Sequence, residues 1–440
     1  MDERKLTEQE LLLLSNYVYM DASTDGMTIG ESIGRFKNAQ GTFDENSVAK
    51  AGIGGGMSPK QAADLFTRMD AMPDSFRNLY PSRVKDDADF RGICFTDGKK
   101  DGGGGTVVFR GTGGTYDAWH DNVVGEYLPS TAIQKEAADF VRYDCMGFSD
   151  LTVTGHSKGG NLAMYTTVMC PASVAACVSF DGQGFSRAFL EAYAQAVETA
   201  SGKIRSISAH NDFVNILLHS IAGEAVYAKN GAGGIDAHSS YYLLTENDFD
   251  ENGNLTSLCA QSFGAWALSE VLSEMTDCMD ILPEDGNEEI SNLLAAYVAA
   301  IMSEDKGKEF EEAQIENAKL STGQYLLGLL PGVRTCGQEV LRIDTFNKDA
   351  HTNRMEEAAV GFEHAGRRIA DLAMRLEVLQ NRIDPDEHVW FFVNRMVASL
   401  LERMNDHKVV LDTYANMLRQ ITELYVAKEQ TLAAQIAGNA

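Results

Sequence analysis

The residues with the clearest chemical potential lie in Val153-Thr154-Gly155-His156-Ser157-Lys158-Gly159-Gly160. A serine between two glycines, after a β-rich run and before a helix-forming run, fits a sharp strand-to-helix turn. Such a turn strains the serine backbone, and side chains at the flanking glycine positions would clash. The helix that follows aims free N–H groups and the positive end of its dipole at an oxyanion forming on the serine's substrate. Ser157 is thus a candidate nucleophile, and the N–H of Lys158 a candidate oxyanion donor. The rival reading is an ordinary glycine turn.

A serine hydroxyl needs a base, and the base needs an orienting acid. Where a serine elbow sits on an α/β sheet, the partners follow in the order Ser, Asp or Glu, His. After Ser157, strand-like runs end at Phe180-Asp181-Gly182 and at His210-Asn211-Asp212, and Glu224 to Ala228 leads through a glycine loop to Ala237-His238-Ser239. His238 is the expected base and Asp212 the expected acid, with Asp181 as the alternative acid. His156 is expected to pack inside the elbow, and His210 to end a strand. His219 comes too early for the base, and His120 precedes the serine. A second oxyanion N–H is expected from Thr112, where Val107 to Arg110 leaves a strand for a loop containing Trp119 and Asp121.

These residues need a sheet to hold them. Strands are expected at Phe90 to Phe95, Thr106 to Arg110, Leu151 to Thr154, Ala175 to Phe180, Ile204 to Ala209 and Glu224 to Ala228. Helices are expected at Ile133 to Met146, Asn161 to Met169 and Arg187 to Thr199. Such alternation predicts a mostly parallel sheet with helices on both faces, an α/β-hydrolase architecture. Gly102 to Gly105 reads as a hairpin connection. It lacks the lysine and following helix of a phosphate cradle, and Gly54-Gly55-Gly56 reads as a loop.

The chain has 440 residues, too many for one ordinary core. Three zones are read: residues 1–258 as the α/β domain, 259–338 as an irregular helical linker or subdomain, and 339–440 as a long helical hairpin. In the last, Met355, Ala358, Phe362, Ala365, Ile369, Leu372, Leu376, Leu379 and Ile383 step by threes and fours, a heptad seam. Asp384-Pro385-Asp386 breaks it, and a second seam runs from Val393 to Tyr425. Each helix would be about 45 Å long at about 1.5 Å per residue, and a partner helix or the 259–338 zone would complete a bundle over the exposed seam. The net charge of −27 argues against nucleic acid and anionic membranes as partners. The seven cysteines have no CxxC spacing and read as free thiols, and no metal or cofactor motif is present. No run reaches transmembrane length, and the charged start has no signal-peptide apolar region.

Several segments resemble known families. Phe109-Arg110-Gly111-Thr112 with Trp119-His120-Asp121 resembles the FRGT/S…W..D segment of class 3 (fungal-type) lipases. Thr154 to Gly160 resembles their TGHSLGG, with Lys158 in place of leucine. Asn211-Asp212-Phe213-Val214 resembles their acid loop, without its proline. The resemblance spans about residues 90 to 245. Phe180-Asp181-Gly182-Gln183-Gly184-Phe185 is similar to the FDGPGF segment of an uncharacterised bacterial branch of the same lipase-like clan. The resemblance implies a serine ester hydrolase, a lipase or phospholipase A. Lys158, read as a charge at the site entrance, points toward anionic esters.

The tail resembles the WXG/LXG helical modules of type VII secretion. Leu341-Arg342-Ile343-Asp344-Thr345 opens the hairpin, and Tyr425 and Glu429 fit the YxxxD/E export pattern. The W-x-G turn itself is missing, although Trp390 follows the break. This layout implies a toxin exported without a cleaved signal, with small helical targeting or chaperone proteins and an immunity protein as partners. The alternatives are a cytoplasmic carboxylesterase whose tail only oligomerises, and a binding protein on an inactive hydrolase scaffold.

Overall fold

The computed structural model describes residues 5–98, 103–125, 128–212, 214–232 and 234–261, with scattered positions between 359 and 419. The chain divides into two compact units, Met1–Ile315 and Glu316–Ala440.

The first unit holds an eight-stranded mixed sheet: β1 (Leu79–Asp86), β2 (Arg91–Asp97), β3 (Thr106–Phe109), β4 (Leu151–His156), β5 (Val174–Phe180), β6 (Ile204–Ala209), β7 (Glu224–Ala228) and β8 (Leu258–Cys259). The strands lie side by side in chain order. Pairings from β3 to β7 are parallel, and the outer pairings are antiparallel. The expected strands are all present. β1 and β8 were not expected. β1 is an edge strand carrying Pro81, Arg83 and Lys85, residues that read as loop in a sequence. β8 is only two residues long.

Eleven helices surround the sheet among the described residues of this unit. Before β1 come α1 (Glu8–Tyr17), α2 (Ile29–Gly34), α3 (Glu45–Val48), α4 (Pro59–Asp70) and α5 (Asp74–Arg77). The crossovers carry α6 (Tyr116–Val124), α7 (Ala132–Asp139), α8 (Lys158–Met169), α9 (Arg187–Ala192) and α10 (Ala194–Ser201), and α11 (Ser240–Thr245) follows β7. Two expectations need correction. Trp119 and Asp121 lie in a helix, α6, rather than a loop. The run Arg187 to Thr199 is two helices, broken at Tyr193.

Chain-order strands decide how the faces are covered. Right-handed crossovers between sequential parallel strands all fall on one side of a sheet. On that side Val107, Phe109, Leu151, Val153 and Cys177 pack with Ala137, Leu162, Val168, Phe189 and Ala200 from the crossover helices. The opposite face, with Phe95, Val108, Phe180 and Ile207, would be left to water. It is closed by the N-terminal helices and α11, through Leu12, Leu13, Phe66 and Leu244. In β3 the alternation is direct: Val107 and Phe109 enter one core, Val108 the other. Helix α1 is buried from Glu10 to Tyr17, which explains Leu11 to Leu14: a helix apolar all round belongs inside. Thr7 and Glu10 start it with a reciprocal capping box. Among the described residues, no helix is long and apolar enough to cross a membrane.

In the second unit, the described positions between 359 and 377 and between 401 and 419 are helical. Glu363 pairs with Arg419. Gly366 instead lies against Leu411 and Asp412, so pairing runs backward along the chain and the two segments are antiparallel. Tyr425, Glu429, Trp390 and all but the first three residues of the helical zone expected at 259–338 lie outside the described residues.

A chain begun at Leu79 should lose its cooperative unfolding transition in calorimetry, since one whole face of the sheet would meet water. A truncated chain that melts as sharply as the full one would refute this account of the second face.

Candidate active site

β4 delivers Ser157 at the carboxyl edge of the sheet, where α8 begins. Ser157 has φ +60° and ψ −127°, a region non-glycine residues avoid. The turn closes because nothing larger than hydrogen occupies two positions. A Cβ on Gly155 would come 2.5 Å from the Gly159 carbonyl carbon and 2.6 Å from the Phe109 oxygen. One on Gly159 would overlap that same Phe109 oxygen. Strand β3 and the elbow therefore touch backbone to backbone, setting the segment from Arg110 to Thr112 beside the serine.

Three side chains from different elements converge. His238 ends the 3₁₀ turn Gly234–His238 after β7. Its Nε2 lies 2.8 Å from Ser157 Oγ, and its Nδ1 lies 2.8 Å from Asp212 Oδ1. Since a carboxylate can only accept, Nδ1 carries the proton and Nε2 is left to accept from the serine. Asp212 is fully buried, and its Oδ2 accepts from the N–H groups of Val214, at 3.2 Å, and Asn215, at 2.7 Å. His238 remains partly open to solvent.

Asp181, the alternative acid, is elsewhere. It lies at the end of β5 with φ +48°, and its Oδ1 accepts from Ala209 N–H at 2.7 Å. Its Oδ2 has no hydrogen-bond partner among the described residues. Burial, reinforced by the charge of Asp212, pushes its carboxyl well above the usual carboxylate range. The Gly182 to Gly184 segment beyond it packs on the start of α8, where Asn161 Nδ2 donates to the Gly184 carbonyl at 2.9 Å.

Lys158 contradicts the expectation of a charge at the entrance. It is only 2% exposed, and its ammonium lies 2.8 Å from Asp121 Oδ2. Asp121 also accepts from Thr131 Oγ1 at 2.7 Å and from Ile133 N–H at 3.0 Å. Burial alone would raise its pKa. The Lys158 charge and these hydrogen bonds together outweigh that and hold it below the usual range. The cation is spent inside the protein and offers nothing to an anionic substrate. Its backbone N–H, the first of α8, is one that a helix cannot satisfy internally. Thr112 Oγ1 accepts from Asn122 Nδ2 at 2.8 Å, so α6 steadies the residue expected to complete an oxyanion pocket.

His156 does more than pack in the elbow. Its ring lies 4.7 Å from that of His238, tilted by 36°. Its Nε2 donates to the His238 carbonyl at 2.7 Å, and its Nδ1 lies 3.2 Å from the Tyr19 hydroxyl. Burial, then the adjacent His238, hold its pKa well below the usual histidine value, so the ring is neutral. Sequence reasoning missed Tyr19 and the Lys158–Asp121 pair. No spacing rule links a tyrosine in an N-terminal helical segment to a turn more than a hundred residues later.

The site thus joins a strained serine at a strand-to-helix turn to a histidine and an aspartate lined up behind it. Residues 87–279 match the family model described as Mbeg1-like, a family related to lipase-like proteins. No curated protein matches the chain. The family match begins after the N-terminal helices and so leaves out Tyr19.

Two stability predictions follow from the buried charges. Burial holds the Asp181 carboxyl in its protonated form to higher pH in the folded chain than in the unfolded one. The folded state binds the extra proton, so this group lowers stability as pH rises through that interval. Asp181→Asn removes the loss, keeps an acceptor for Ala209 N–H and tolerates the positive φ. It should raise the melting midpoint at pH 7, by about 2–4 °C per kcal/mol relieved, with the gain shrinking toward pH 4. An unchanged or lower midpoint at pH 7 would contradict a raised Asp181 pKa. Lys158→Met leaves the Asp121 carboxylate buried without its cation and should cost about 3–5 kcal/mol in urea denaturation. Adding Asp121→Asn should recover most of that. A double variant no more stable than the single would mean the ion pair is not what sustains Asp121.

Proposed function

We propose that this protein is a serine ester hydrolase that works through an acyl-enzyme, with Ser157 as nucleophile, His238 as base and Asp212 as the acid that orients it. The observation that carries the reading is the unbroken chain from Ser157 Oγ to His238 Nε2, and from His238 Nδ1 to Asp212, with 2.8 Å at each link. Ser157 Oγ adds to the ester carbonyl as its proton passes to His238 Nε2. The resulting imidazolium is stabilised by Asp212, which itself stays ionised. The oxyanion is met by the N–H groups of Lys158 and Thr112. Collapse expels the alcohol, which takes the proton from His238. Water, activated by the same histidine, then releases the acid and restores the serine.

For substrate we propose lipid esters, in keeping with the lipase-like family match. Neutral acylglycerols and phospholipids remain the two classes to compare. Lys158 favours neither, because its charge is already paired.

Ser157→Ala should remove hydrolysis of a soluble short-chain ester and covalent labelling by a fluorophosphonate, while the melting midpoint is retained. Asp212→Asn should lower kcat by about 10⁴-fold, since the histidine would hold the wrong tautomer. Asp181→Asn should keep most of the activity. An active Ser157→Ala protein, or a wild-type protein that the fluorophosphonate leaves unlabelled, rules the proposal out and favours a binding role on the same scaffold.

A further inference from the structure

The Tyr19 hydroxyl stands between the two halves of the site. It accepts from the backbone N–H of Gly111 at 3.1 Å, and it donates to His156 Nδ1, 3.2 Å away. The donor role follows from His156 Nε2, which faces a carbonyl oxygen at 2.7 Å and so must carry the ring proton. The sequence of bonds is Gly111 N–H to Tyr19 O–H to His156 Nδ1, then His156 Nε2–H to the main-chain carbonyl of His238. At one end is the residue next to Thr112, and at the other is the backbone of the proposed base.

The tyrosine is held as firmly as what it holds. Arg91, 5% exposed, donates to the carbonyls on either side of it: Val18 at 3.0 Å and Met20 at 3.2 Å. The same guanidinium is anchored by Asp86, 2.6 Å away, and Asp21, 3.1 Å away. The glycine loop explains itself here. A Cβ on Gly54 would meet the Tyr19 carbonyl oxygen at 2.7 Å, and one on Gly55 would meet the ring at 2.8 Å. Burial pushes the hydroxyl's pKa up, so it stays a donor across the working range. Gly111 has no room for a side chain beside this hydroxyl.

We propose that Tyr19 is a positioning residue of the hydrolytic site: its hydroxyl, acting through Gly111 and His156, sets the oxyanion loop and the main chain of His238 in register with Ser157. The inference rests on the hydrolase reading above. It assigns a part in catalysis to the N-terminal helical segment, which lies outside the family match.

Tyr19→Phe keeps the ring and removes only the hydroxyl, so it should fold. The experiment uses the full chain and a soluble short-chain p-nitrophenyl ester, with competent sites counted by fluorophosphonate titration. Tyr19→Phe should lower kcat per titrated site by about tenfold, the value of one well-placed hydrogen bond, with KM nearly unchanged. His156→Phe should show a comparable loss. The double variant should be no slower than the slower single, because members of one relay are not additive. If His156→Phe does not fold, Tyr19→Phe decides alone. A purely structural tyrosine would lower the melting midpoint and leave kcat per titrated site at the wild-type value. That result overturns the inference while the hydrolase reading stands. A wild-type protein that neither hydrolyses the ester nor takes the label overturns both.

Discussion

Everything at the candidate site depends on the backbone contact between the end of β3 and the elbow after β4. The Phe109 carbonyl oxygen lies so near Gly155 and Gly159 that neither could carry a side chain. That contact forces Ser157 to positive φ, turns its hydroxyl toward His238 and lays Gly111 and Thr112 alongside. The strain is tolerable because both strands are central and buried on two faces, so the sheet over-determines the turn.

Around that contact the charges are sorted by environment. Two aspartates end neighbouring parallel strands, both fully buried. Asp212 receives two backbone N–H groups and a histidine. Asp181 receives one N–H, and burial pushes its carboxyl well above the usual carboxylate range. Two histidines lie ring against ring, but only His238 reaches the serine. His156 is desolvated, uncharged and committed to a carbonyl. The Lys158 cation at the elbow is cancelled by Asp121.

Much of this was legible in the sequence because it is local. The elbow glycines, the strand ends and the order Ser157, Asp212, His238 follow from turn sterics and from a sheet that presents its loops at one edge. The edge strand β1 escaped notice because proline and charges suit an edge as well as they suit a loop. Lys158 was misjudged for a different reason: a lysine reads as exposed until its partner is known. Asp121 reaches it only through the packing of α6 and α7, which no short motif encodes. Tyr19 was invisible for the same reason, since its role comes from tertiary contacts with residues far along the chain.

Strands laid down in chain order carry a cost in time. One face of the sheet is covered by helices synthesised between its strands, each docking near where it emerges. The other face is covered by the first helices made, and these stay tied to the last described elements of the unit: Asn16 bonds to Ser240, and Gln9 to Gly253. The N-terminal leucines must wait, unburied, until nearly the whole sheet has formed. Contacts of such long sequence separation slow folding and expose sticky surface meanwhile. The segment that touches the candidate site through Tyr19 is thus also the one most in need of protection while the chain is being made.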